Sequence, residues 1–169
     1  MFAALLLTTL LAASLSEEQA AQLPTESEAE ELAGQGNHEA AIDAFRQRAA
    51  ANPNDLAARI WIGRLHVQMG RPEVAEPVYR SVVWEDPSRV DVALPLGAIL
   101  VKQRRLEEAL YVLDRASGAQ PKNPDVLEAL GDLHMRLSNK TLGRSYLELA
   151  AAIRSDTEKP EDVTARASR

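Results

Sequence analysis

Cysteine is absent from the 169 residues, which excludes disulfide scaffolds, thiol nucleophiles and cysteine-ligated zinc and says nothing of redox compartment. Aromatic residues make up only 4% of the chain while Ala, Leu and Glu abound, a mixture that disfavours sheet and points to an all-α protein. Positive charge is missing from the front end: Met1 to Phe45 has eight acids and no Lys or Arg, whereas Arg46 to Arg169 has 19 basic residues against 17 acids. A net charge of -6 does not mark a nucleic-acid binder. No apolar run reaches the roughly 20 residues that a bilayer crossing needs, so no stable membrane span is expected. What remains is 46% hydrophobic, enough for one soluble domain with a real core.

The first segment is an uncharged apolar run from Phe2 to Ala13, followed by small residues and then Glu17 and Glu18. It resembles a secretory signal peptide, with Ala12 and Ser14, or Ser14 and Ser16, suited to the cleavage site. No cysteine follows to make it a lipoprotein signal. Residues 1–16 are expected to be removed on export, which places the chain in the periplasm or outside the cell; the alternative is an uncleaved apolar helix on a cytoplasmic protein. Arg far outnumbers Lys and Ala is abundant, as in GC-rich bacterial genomes.

Proline returns at Pro53, Pro87 and Pro121, an interval of 34 each time. Sliding the sequence by 34 also aligns Gly63, Gly97 and Gly131, each preceded by Ile or Leu. Ala41, Ala75 and Ala109 coincide, with Gly143 as a fourth, and four residues further on come Phe45, Tyr79, Leu113 and Leu147. Within each interval apolar residues recur at three or four, as in Ile62, Leu65 and Met69, then Val74, Val78 and Val82, so each repeat reads as two amphipathic helices. Gly70 ends one helix and Pro72 suits the start of the next. A small residue in the Gly97 column is expected to face one in the Ala109 column, with Leu113 filling the space beside them.

This 34-residue pattern of Leu-Gly, then Ala-x-x-x-Phe, then Pro resembles the tetratricopeptide repeat over Gln22 to about Arg154. The resemblance implies an α-solenoid of stacked antiparallel helix pairs in a right-handed superhelix. The expected divisions are an acidic segment and degenerate first repeat over 17–55, then repeats over 56–89, 90–123 and 124–155. A polar tail or partial capping helix, with a possible start at Pro160, occupies 156–169. Pro77 and Pro95 fall inside helices, where each is expected to kink the helix or delay its start, since an interior proline costs about 3 kcal/mol.

No catalytic or metal constellation is evident. His66 and His134 share a column two repeats apart, on the order of 20 Å along such a stack, too far to share an ion. A packing role suits them, and His38 reads as a solvated turn residue. Glu30/Glu31 and Glu107/Glu108 are adjacent in helices and point apart. No cofactor is expected, and the chain reads as non-enzymatic.

In the resembled family the first helix of each repeat lines a concave groove. The resemblance implies that Ala57, Ile60, Trp61, Arg64, Val67 and Gln68 line it here, with Asp91, Leu94, Ala98, Val101 and Lys102 from the next repeat. Asp125, Glu128, Asp132, Met135 and Arg136 follow from the fourth. Ile60, Val67, Leu94, Val101 and Met135 would form an apolar floor, and Asp125, Glu128 and Asp132 an acidic end. Ile60 and Arg64 stand where some members carry a carboxylate-gripping Lys and Asn, which disfavours chaperone-tail binding. The function expected is a scaffold binding an extended or helical segment of another protein through apolar anchors. The alternative is a repeat module of a larger envelope polysaccharide-export or outer-membrane barrel protein. Oligomeric state is not legible.

Overall fold

A computed structural model describes residues 23–158. The leader read over residues 1–16, the stretch up to 22, and the tail from 159 on, with its possible helix start at Pro160, lie outside the described residues. Among the described residues there are eight α-helices and no strand. They are α1 Glu26–Gly34, α2 His38–Ala51, α3 Leu56–Gln68, α4 Pro72–Glu85, α5 Val90–Lys102, α6 Leu106–Ala119, α7 Pro124–Arg136 and α8 Lys140–Glu158. The fold class is an all-α helical solenoid. First helices begin at Leu56, Val90 and Pro124 and second helices at His38, Pro72, Leu106 and Lys140, so the 34-residue period of the sequence is the period of the helices.

The recurring prolines act in turns. Pro53, Pro87 and Pro121 each stand two residues beyond the end of α2, α4 and α6. The following N–H groups close a tight turn around them: Asp55 donates to the Asn52 carbonyl, Arg89 to Asp86 and Asn123 to Gln120, at 2.9, 3.2 and 3.1 Å. Proline pre-sets φ for the second position of such a turn, which is where all three sit.

The other joint, between the helices of a pair, relies on backbone. Gly36, Gly70, Arg104 and Ser138, again 34 apart, have φ of 79°, 71°, 64° and 64°. At each, two N–H groups return to the helix just ended: Arg104 donates to Val101 and Arg105 to Leu100, Ser138 to Met135 and Asn139 to His134. This is the Schellman arrangement, which satisfies the last carbonyls and needs one left-handed residue.

The chain divides into two compact units, residues 1–71 and 72–169. In the first, α1, α2 and α3 enclose Ala29, Ala41, Ile42, Phe45, Ala58 and Leu65, all fully buried. α1 is shorter than the other first helices, because Pro24 precedes it and a capping box fixes its start. The Thr25 hydroxyl accepts from the Glu28 N–H, and the Glu28 carboxylate accepts from the Thr25 N–H at 2.7 Å. The 34-residue period, which would start this helix four residues earlier, does not reveal that stop.

In the second unit α4 to α8 pack in sequence around Tyr79, Val82, Leu96, Leu100, Leu130 and Leu133. Glycine permits the closest approaches. A Cβ on Gly131 would lie 2.7 Å from Leu147 Cγ and 3.0 Å from the Gly143 carbonyl oxygen, so α7 and α8 touch nearly backbone to backbone. Gly97 is looser, its absent Cβ meeting the Leu113 side chain at 3.2 Å.

Of the two outcomes expected at Pro77 and Pro95, a delayed start does not occur: α4 and α5 begin at Pro72 and Val90 and run on through both prolines. The carbonyls deprived of a donor belong to Glu73 and Asp91, both at exposed positions where water can replace the lost bond. His38 is the first residue of α2 and half-buried, not a free turn residue. α8 continues to Glu158, so 156–158 belong to a helix.

Candidate protein-binding surface

The side chains named as groove residues lie on α3 in the first unit and on α5 and α7 in the second. Each helix presents positions four, seven and eight residues after Ile60, Leu94 and Glu128 respectively, which the helical repeat puts on one face. The helices are started firmly where the sequence supplies caps. Asp55 accepts from the Ala58 N–H at 3.0 Å at the head of α3, and Asn123 accepts from Asp125 and Val126 ahead of Pro124 in α7.

On α3, Val67 and Gln68 are exposed, while Trp61 and Arg64 are half-buried. Trp61 stacks on Phe45 with ring centroids 5.6 Å apart and planes 4° from parallel, and the Arg64 guanidinium lies 5.5 Å over the Trp61 ring. Trp61 is thus partly committed to the core of its own unit. Ile60 is only 2% exposed, so it is core and not an accessible part of any floor. It sits at the covered edge of the helical face, and a period of three or four cannot tell the covered edge from the open one.

On α5, Leu94 and Val101 are half-buried and Ala98 and Lys102 exposed; on α7, Asp132, Met135 and Arg136 are exposed and Glu128 is half-buried. α5 and α7 are in contact, so the second unit brings these two sets onto neighbouring helices. The result is apolar surface from Leu94, Val101 and Met135 bordered by Lys102 and Arg136. The acidic end is different from the expectation. Arg154 of α8 reaches back to Asp125 and Glu128, at 2.6 Å each, and offsets one of their two charges; the contacts in turn raise the Arg154 pKa. Asp91 is likewise paired, with Arg89 at 2.9 Å. Sequence reading missed Arg154 because the pairing spans 29 residues and leaves no periodic trace.

His66 and His134 are both buried. His134 stacks on Tyr146 at 5.6 Å with planes 3° apart. Neither ring nitrogen of His66 has a hydrogen-bond partner among the described residues, and burial, then the charges of Arg46 and Arg71, hold its pKa below the usual imidazole value. A neutral packing imidazole is what this environment supports. Among the described residues no group of three or more His, Cys, Asp or Glu side chains could hold a metal, and no helix is long and apolar enough to cross a membrane.

A charge cluster braces α4 against α6. The Glu76 carboxylate accepts from Arg80 and Arg105 at 2.7 Å and from Gln103 at 3.0 Å. Glu108 accepts from Arg105 at 2.6 and 2.7 Å and from Arg80 at 3.2 Å. The hydrogen bond from Arg105 leads in holding the Glu108 pKa down to about 2. Near this cluster Trp84 and Tyr111 stand on the second helices, outside every site the sequence suggested. Their columns would have signalled them, since Trp84 aligns with Ala50, Gly118 and Ala152, and Tyr111 with Asp43, Pro77 and Ser145.

Two tetratricopeptide-repeat models match, over residues 27–90 and 68–133. Cellulose synthase operon protein C of Pseudomonas fluorescens (strain SBW25) is 25% identical over 129 residues, 76% of this chain and 10% of that protein. The chain spans about a tenth of the length of the curated relatives it matches. Among solved structures, MamA from Desulfovibrio magneticus RS-1 superposes with a TM-score of 0.67 at 18% identity, covering 79% of this chain and 75% of that one. YrrB, described as a TPR protein with an unusual peptide-binding site, superposes at 0.64 with 19% identity, covering 76% and 66%. At these identities the two structures speak for the fold alone.

Proposed function

The chain belongs to the tetratricopeptide-repeat family of protein-interaction scaffolds, and on that premise we propose that it holds a segment of another protein against its first helices, as a binding protein and not an enzyme. The observation that carries this reading is the face of α5 and α7, where Leu94, Val101 and Met135 keep solvent access beside Lys102 and Arg136. Such a face suits an extended or helical segment with apolar anchors and an acidic residue to meet the two cations. The peptide-binding site named for YrrB shows that this fold can present one.

The test is to recover a partner by affinity capture from the source cell and titrate it against variants. Leu94→Asp, which sets an unpaired charge where an apolar anchor would lie, should weaken binding at least tenfold, the equivalent of about 1.4 kcal/mol. Lys102→Ala should cost less than about 1 kcal/mol, because a solvent-screened contact is weak. Arg144→Ala, at an exposed position of α8, is the control. Equal losses from Leu94→Asp and Arg144→Ala in folded proteins would remove the binding face from α5 and α7.

The apolar run ahead of Glu17 supports export to a bacterial envelope. Mass spectrometry of the native protein reads this out, and an intact Met1 on a cytoplasmic species would count against it. The likeness to cellulose synthase operon protein C favours a second reading, a repeat module of a larger polysaccharide-export machine. Amphipathic strands of about ten residues in the reading frame beyond Arg169 would mark the barrel version of it.

A further inference from the structure

Trp84 on α4 and Tyr111 on α6 are 64% and 52% exposed, although the equivalent positions of the other repeats hold Ala, Gly, Asp, Pro or Ser. Their rings lie 6.2 Å apart at 34°, and the Arg115 guanidinium lies 4.9 Å over the Trp84 ring. Aromatic side chains carry 150–250 Å² of surface each by general estimate, so about half of that, twice over, is left in water on one face. The notch beneath, lined by residues including Val83, Leu96 and Val112, holds only about 20 Å³. That is room for about one water molecule, so the feature is a platform for a surface and not a small-molecule pocket.

Charge identifies the surface. Glu107, Tyr111 and Arg115 are spaced by four along α6 and share one face, the acid one turn before the tyrosine and the base one turn after it, about 6 Å of helix rise each way. Neither Glu107 nor Arg115 has an oppositely charged partner among the described residues, and Glu108, the neighbour of Glu107, is held by Arg80 and Arg105. An acid and a base placed symmetrically about an aromatic residue are complementary to their own image under a twofold rotation.

We propose that a second copy of this chain docks on this face, the two α6 helices antiparallel about an axis through Tyr111, with Glu107 of each copy meeting Arg115 of the other. The tyrosines meet at the axis and Trp84 of each copy covers the flank. This surface is on the second helices and does not depend on the face proposed for partner binding. The aromatic area is well below the 800 Å² a side of a standard interface, so the dimer is a weak one, held by this centre and the surrounding α4 and α6 residues.

Sedimentation equilibrium of the full chain tests it. The wild type should show a reversible monomer–dimer equilibrium in the micromolar range. Glu107→Arg or Arg115→Glu alone places like charges together twice, once on each side of the axis, and should raise the dissociation constant at least roughly tenfold. The double reversal regenerates both pairs with their polarity exchanged and should return it to within about threefold of wild type. Trp84→Ala should weaken the dimer as well. Should a reversal unfold the chain by circular dichroism, Glu107→Gln and Arg115→Gln take its place and should each weaken the dimer. A monomer throughout the range, single variants that associate as tightly as wild type, or a folded double reversal no better than the singles would each overturn the proposal. Binding of an acidic peptide by a chain that stays monomeric would do the same.

Discussion

Adding one methyl group at three glycines of the second unit sets helix propensity against packing. Alanine is favoured over glycine inside a helix by about 1 kcal/mol, so each substitution begins with a gain. At Gly97 the new Cβ meets only the Leu113 side chain, at 3.2 to 3.4 Å, and a flexible tip can yield a few tenths of an ångström. Gly97→Ala should therefore stay within about 0.5 kcal/mol of wild type. At Gly131 the contacts are 2.7 Å to Leu147 Cγ, a branch point, and 3.0 Å to the Gly143 carbonyl, which is backbone. Neither can retreat without moving α8, so the overpacking term reaches about 3 kcal/mol and the net loss about 2 kcal/mol. Gly143→Ala, 2.9 Å from the Gly131 carbonyl and from Met135 Cγ, should lose a similar amount. Urea denaturation followed at 222 nm measures the series, and a scan should put Gly131→Ala roughly 6 °C below wild type at this size. If Gly131→Ala is as stable as wild type, or Gly97→Ala is the most damaged of the three, the close approach of α7 and α8 is not as described.

Arg104→Gly should gain about 0.5 kcal/mol, because the relief of a left-handed arginine slightly exceeds the added freedom of the unfolded chain, while Gly70→Ala should lose about 1 kcal/mol at the equivalent position one repeat earlier; urea midpoints decide both. The Glu108 pKa of about 2 lies below its ordinary 4.5, so its contribution to stability is present above that ordinary value and is lost as pH falls through 2. Glu108→Gln should flatten the acid limb of a stability–pH profile between about pH 5 and 2, and an unchanged limb would detach Glu108 from Arg105.

The helices were legible because one number, the interval of 34, recurs in Pro53, Pro87 and Pro121 and again in Gly97 and Gly131. Repetition reveals what every repeat shares and is blind to what one repeat does alone. The capping box of Thr25 and Glu28, the pairing of Arg154 with Asp125 and Glu128, and the exposure of Trp84 each occur once. Ile60 failed for another reason: helical periodicity identifies a stripe, and which edge of it lies open depends on what packs beside it. The same period did contain the left-handed column at Gly36, Gly70, Arg104 and Ser138, hidden because two of its members are not glycine.

That column bears on how such a chain can change length. Surface turns ordinarily absorb an extra residue at little cost, which makes them the usual place for insertions. The joints after α1, α5 and α7 are closed by two backbone bonds apiece, as where Arg105 returns to Leu100 and Asn139 to His134. One inserted residue would break that closure, and taken into the following helix it would rotate the upstream part of that helix by about 100° relative to its core face. Gly143, the fourth residue of α8 and packed against Gly131, would leave its contact at once. Single-residue insertions should therefore be purged from these connections despite their exposure, leaving whole 34-residue units as the step by which the array lengthens or shortens.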